Sequence, residues 1–337
     1  MLPPNAASLA TIVAERSAGS LSPWIEKHGT SVEKLVHHFS NNSARIMGQP
    51  MGPHFWDLAL RHNFLVSIML AVSACHLRYH TPNPAPHHIA ELAQESSAIA
   101  ALKSALVLPL HKDLADALVS TAVMLNAVSF ASVVSNSIST SWVFSNSSDT
   151  LGWLDLQLQY KNLEKATSQF RESSFLPPSP DAIDVQADDP ARAEDMGQGK
   201  LPVAWKMMLG DKDTQTFRSY LQPMRTLAYL RYLEPNCYNS FTYFGFLSKL
   251  DSGFRGLLFE RDPRALWILG YWLGLLDRLK IWWCSRRIER DWTAVLHLLR
   301  ERELDQRHGN EGQMWQALIA DLSVASAWPQ PQTENLL

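Results

Sequence analysis

His76 and His80 stand four residues apart in a segment of helical periodicity, so both imidazoles share one face and could ligate a transition metal. No acidic residue adjoins them and Cys75 lies roughly a third of a turn away. A histidine near a helix end is more often satisfied by a carbonyl, so no metal is expected. The doublets His37/His38 and His87/His88 read as solvated surface. Chemistry of another kind is offered by ALWILGYWLGLLDRLKIWWC, which gathers Trp267, Tyr271, Trp272, Trp282 and Trp283 into one helix and its end. Such side chains fill a core by default. With Asp277, Arg278 and the indole and phenol donors they could equally wall a site for an apolar ligand inside a helical bundle.

Other signatures are missing. The chain holds no G-x-x-x-x-G-K-[ST], G-x-G-x-x-G, H-E-x-x-H, G-x-S-x-G or C-x-x-C. No cofactor is expected. Cys75, Cys237 and Cys284 are odd in number and far apart, which fits free thiols in a reducing compartment, nucleus or cytoplasm. The first twenty residues lack a basic n-region, so export is not expected and the sequons at Asn41 and Asn146 carry little weight.

The elements that must position these residues read as helices almost throughout. The 337 residues, 46% hydrophobic and 19% charged, are those of a folded globular chain. A net charge of -3 argues against direct nucleic-acid binding, which needs a clustered basic excess. Ser31 is the expected N-cap of a helix reaching Met47, and further helices are expected over 55–80 and 89–106. Asp113 is the expected cap of a helix over 115–134 that carries no charge beyond Asp116. Its Ser120, Thr121, Asn126, Ser129 and Ser132 mark it as buried helix rather than membrane span, and no positive cluster flanks it. Helices over 151–170, 214–233, 238–258, 264–282, 286–303 and 311–327 complete the pattern, with Asp262 and Pro263 opening the one that holds Trp267. No alternating strand pattern or fixed-period repeat occurs.

The expected organisation is a flexible N-terminus (1–30), an N-terminal helical part (31–172), an acidic Pro-rich linker (173–200), a Trp-rich helical part (201–328) and a tail (329–337). The fold class is all-α, a multi-helix bundle with an internal hydrophobic pocket.

LVHHFSNNSARIMG, then FWDLALRHNFLVSIMLAVSACHLRYHTP, resemble the start of the regulatory domain of fungal binuclear zinc-cluster (Zn2Cys6) transcription factors, with LAVSACHL (Leu70 to Leu77) the closest match. The stretch from Arg264 to Glu301 and MWQALIADLSVASAWP are similar to the end of the sterol uptake control subgroup. About 280 residues take part, through helical and hydrophobic words rather than a catalytic signature. Family members carry a six-cysteine DNA-binding module before this domain, and the first 50 residues here hold no cysteine. The chain is expected either to lack that module naturally or to have been truncated or mis-started.

The resemblance implies a ligand-sensing helical domain, a sterol-like or other hydrophobic small molecule, and a homodimer or transcription-factor partner. The leading expectation is therefore a transcriptional regulator or co-regulator of a metabolic or secondary-metabolite pathway, with Trp267, Tyr271, Trp272, Trp282 and Trp283 contacting ligand. The alternative is a pocket repurposed as a cofactor-independent cyclase or rearrangement catalyst on a terpenoid or polyketide, with Asp277, His76 and Tyr271 as candidate catalytic residues.

Overall fold

The computed structural model describes residues 23–133, 135–145, 151–173, 201–210 and 215–329. Every regular element among them is an α- or 3-10 helix and none is a strand, so the fold is all-α. It divides into two units: one comprises 1–132 with 159–178, the other 133–158 with 179–337. The segment 133–158, expected with the N-terminal part, thus belongs with the Trp-rich unit. Residues 1–22, 174–200 and 330–337, which hold most of the expected N-terminal arm, linker and tail, lie outside the described residues.

The N-terminal unit opens with α1 (Pro23–His28) and α2 (Val32–Met47). Ser31 caps α2 as expected, its hydroxyl accepting from the Lys34 amide at 3.4 Å, and Gly48 ends it at φ +80°, a conformation that penalises a Cβ. Leu35, Val36, Phe39 and Ile46 form its buried face. The single helix expected over 55–80 is two: α3 (Pro53–Arg61) and α4 (Asn63–His80), bent by 117° at His62. His62 is extended at φ −124°, ψ 105°, and neither glycine nor proline marks the break. The bend lets α3 bury Phe55, Trp56, Leu58 and Ala59 while α4 runs through the core, buried at nearly every position from Phe64 to His76.

Against α4 pack α5 (Ala85–Ala105) and α6 (Lys112–Ala131). A buried, bidentate ion pair joins α4 to α5, Arg78 donating through Nε to Glu91 Oε2 (2.5 Å) and through Nη2 to Oε1 (3.0 Å). The cap of α6 is His111, which accepts from the Leu114 amide, rather than Asp113. Asp113 instead pairs with Arg61 of α3, and that guanidinium holds its carboxyl below the usual range. By length and composition α6 could cross a membrane, yet 78% of its most apolar window is buried inside the fold, as in the core helix of a globular protein.

The division between units falls inside α7 (Gly152–Thr167). The Trp-rich unit continues with α8 (Val203–Leu209), α9 (Gln215–Leu230), α10 (Ser240–Phe244), α11 (Ser252–Phe259), α12 (Pro263–Asp277), α13 (Trp282–Glu301) and α14 (Asn310–Ser323). The helix expected over 238–258 is therefore broken: a 3-10 turn at Gly245–Lys249 separates α10 from α11, and Asp251 caps α11 by accepting from the Phe254 amide at 2.6 Å. α12 opens at Pro263 as expected, and Asp262 caps it, one oxygen accepting from the Arg264 and Ala265 amides at 2.9 Å each. The helix ends at Asp277, so Trp282 and Trp283 open α13 instead of closing α12.

Two glycines allow α12 to lie close to its neighbours. A Cβ on Gly270 would stand 2.8 Å from Val295 Cγ1, and one on Gly274 would stand 2.7 Å from the Ala325 Cβ. Gly274→Val is expected to cost about 1–3 kcal/mol by overpacking. Gly256→Ala, on a helix with nothing within 4 Å of the added carbon, is expected to be neutral or to stabilise by up to ~1 kcal/mol. Chemical unfolding of the two variants checks the opposite signs.

Candidate functional site

In the Trp-rich unit the aromatic side chains of α12 gather beside a buried carboxylate, Asp321 of α14. An apolar face of α14 carries it inward, since Asp321 follows Leu318 by three residues and Ala317 by four. Its Oδ2 accepts from Trp205 Nε1 at 3.0 Å and from Arg231 Nη1 at 3.3 Å, and its Oδ1 lies 3.5 Å from the Tyr271 hydroxyl. The Arg231 guanidinium also lies over the Trp205 ring, 5.8 Å from its centroid. Buried charge is tolerable here because the carboxylate faces a cation and two further donors.

Trp267 and Tyr271, one turn apart on α12, stack at 4.9 Å, and Trp205 meets both edge-on at about 5 Å. The Trp267 indole donates to the Leu318 carbonyl at 2.7 Å. Trp272 occupies another face of α12, stacks on Phe246 at 5.3 Å and donates to the Tyr243 carbonyl at 2.8 Å. All three expected residues of α12 are fully buried. Arg278 follows them into the interior, donating to the carbonyls of Ala325 (2.7 Å) and Arg231 (2.9 Å). Asp277, placed in the same wall by the sequence reading, is instead partly exposed at the helix end and pairs with Lys280 at 2.6 Å.

Trp282 and Trp283 are half-buried at the start of α13, where Trp283 stacks on the half-buried Phe244 at 5.1 Å. Phe241 is more exposed still. The five aromatics expected at the ligand site thus fall into an interior set, Trp267, Tyr271 and Trp272, and an outer edge, Trp282 and Trp283.

Reactivity in the interior is suppressed. Burial and the neighbouring Asp321 push the Tyr271 phenol well above its ordinary range, and burial does the same to the Cys284 thiol. A nucleophile or general base needs the opposite shift. Hydrogen bonding and apolar contact are the chemistry this arrangement supports.

His76 belongs to the N-terminal unit and has its own neighbours. Its Nδ1 lies 3.0 Å from Nε2 of His38, one ring donating to the other, and its ring sits 4.4 Å from that of His80. His38 and His87 are not solvated surface. His38 turns toward α4, while His87 is buried and bonded to the Thr30 hydroxyl at 2.6 Å. Among the described residues no group of three or more His, Cys, Asp or Glu is placed to hold a metal ion.

Burial, with His80, His38 and Arg45 beside it, holds the His76 imidazolium down to about 4. In the unfolded chain the same group takes its proton near 6.5, so stability is full above that pH and falls as pH drops toward 4. The loss expected from His76 is about 3 kcal/mol at the acid end. Unfolding of His76→Phe beside the parent chain, at about pH 7 and about pH 4.5, checks it: the parent loses more stability than the variant between the two.

Residue types and spacing did not point to Asp321, Arg231 or Trp205, nor to Asp291 of α13, which is fully buried and lies 3.6 Å from Arg287 Nη1. The readable signal was a lone charge on an apolar helix face: Asp321 as above, Arg231 four residues after Leu227, and Asp291 between Ile288 and Val295. No protein-family model matches the chain, and no curated protein matches it significantly.

Proposed function

We propose that this chain is a non-catalytic regulatory module, a transcriptional regulator or co-regulator whose Trp-rich unit senses an apolar, sterol-like molecule. The observation that carries the reading is the division of labour among the aromatics. Trp267, Trp272 and Trp205 have their indole donors engaged inside the unit, and the Tyr271 and Cys284 protons are held in place by burial. That interior supports a shape rather than a reaction. The half-buried edge of Phe244, Trp282 and Trp283 offers rigid apolar surface for a ligand. Ligand acts by favouring one packing of the helices over another. The resemblance to zinc-cluster regulatory domains supports the same reading, and it makes the nucleus or cytoplasm the place of action.

The test is thermal unfolding of the purified chain against a panel of sterols and other apolar lipids. A saturable rise in Tm is expected for the parent, lost in Trp283→Ala while that variant unfolds as cooperatively as the parent. No shift with any member of the panel, together with turnover of a terpenoid or polyketide above a heat-killed control, overturns the proposal in favour of the enzyme.

A further inference from the structure

Helix α5 buries one face against α4, through Ala90, Gln94, Ala98 and Ala105, and presents a second apolar stripe to solvent. Leu92 (53% exposed) and Ile99 (37%) lie seven residues apart along it, Leu106 (51%) follows at the same spacing as its C-cap, and the chain continues through exposed Val107, Leu108 and Leu110. Residues seven apart on a helix stand almost above one another, so these side chains form one row along an exposed face.

The stripe is its own complement about Ile99. Leu92 and Leu106 lie seven residues to either side of it, and Glu95 and Lys103 lie four to either side. At about 1.5 Å per residue, Glu95 sits ~6 Å below Ile99 and Lys103 ~6 Å above. When a second copy of α5 runs antiparallel across a two-fold axis at Ile99, Leu92 comes level with the partner's Leu106 and Glu95 comes level with the partner's Lys103. A two-fold interface requires such a self-matching patch. Among the described residues neither Glu95 nor Lys103 has an opposite charge within ion-pair distance, although Glu95 is half-buried. Burial and the neighbouring Glu91 raise the Glu95 carboxyl above its ordinary range, as for an acid lacking a cation.

We infer that a second copy of this chain docks on the Leu92/Ile99/Leu106 stripe of α5, making an antiparallel homodimer with reciprocal Glu95 to Lys103 pairs. The inference stands apart from the proposed function, since a dimer indifferent to every lipid keeps the one and loses the other.

Sedimentation velocity on the purified full chain, across a wide concentration range, is the test, with circular dichroism confirming that each variant stays helical. A monomer-dimer equilibrium is expected, and Ile99→Arg, at an exposed position, leaves monomer only. Glu95→Lys and Lys103→Glu each set like charges together at two symmetry-related places, so each weakens the dimer about tenfold, and the double swap restores it. A parent chain that is monomeric throughout, a dimer indifferent to Ile99→Arg, or a double swap no tighter than the single ones overturns the inference. Seating of another protein or a lipid surface on the stripe would appear as the first of these.

Discussion

Replacing Asp321 with alanine is expected to destabilise the Trp-rich unit by about 3–5 kcal/mol, the range measured when one partner leaves a buried ion pair. Arg231, 1% exposed, keeps its charge and its interior position when the carboxylate goes. Trp205 loses its hydrogen-bond acceptor, and Tyr271 loses the oxygen 3.5 Å from its hydroxyl. Asp321→Asn is expected to cost less, because an amide oxygen still accepts from Trp205 although the charge opposite Arg231 is lost. Urea unfolding followed by tryptophan fluorescence checks the order parent, Asn, Ala. An alanine variant within 1 kcal/mol of the parent would show that this carboxylate does not hold the helices together.

Asp291→Ala is the second large effect, for a related reason at a separate place in the same unit. Asp291 is fully buried on α13 and takes Arg290 Nε at 2.7 Å, Arg290 Nη2 at 3.2 Å and the Ser141 hydroxyl at 2.8 Å, with Arg287 Nη1 3.6 Å away. Burial already lowers the Arg287 guanidinium to about 10, with Asp291 the main counterweight. Alanine would leave two largely buried cations near one another, so a loss of at least about 3–5 kcal/mol is expected. Because Ser141 carries the segment after α6 onto this carboxylate, proteolysis between residues 133 and 145 should accelerate in the variant. Unchanged cleavage in this segment would mean that its other contacts suffice. Among these, Arg261 donates to the carbonyls of Trp142 (2.7 Å) and Val143 (2.8 Å).

The helical class was legible in the sequence because long runs of 3.6-residue periodicity can bury an apolar face in only one way. The Ser31 cap was legible too, its hydroxyl standing where it was expected to accept an amide, and so was the helix start at Asp262 and Pro263, whereas the cap expected of Asp113 is made by His111. The bend at His62 was not, because it follows from the different burial of α3 and α4 rather than from a breaker residue. The Trp-rich stretch read as one continuous group. Its division into a buried interior and a half-exposed edge depends on α12 ending at Asp277, with Lys280 at φ +51° before α13 begins. The buried carboxylates of the unit were hidden for another reason. Asp321 and Arg231 are 90 residues apart, and only the tertiary fold turns two isolated charges on apolar faces into a pair.

Regulation rather than catalysis, as proposed for this chain, is tested by transcription from a tethered reporter. The chain, fused to an unrelated DNA-binding domain, is compared with that domain alone, with and without added sterol. The fusion is expected to change reporter output, sterol to alter that change, and Trp283→Ala to remove the sterol response while leaving protein levels intact. Output equal to that of the DNA-binding domain alone, with the fusion expressed and sterol present, would contradict the proposal.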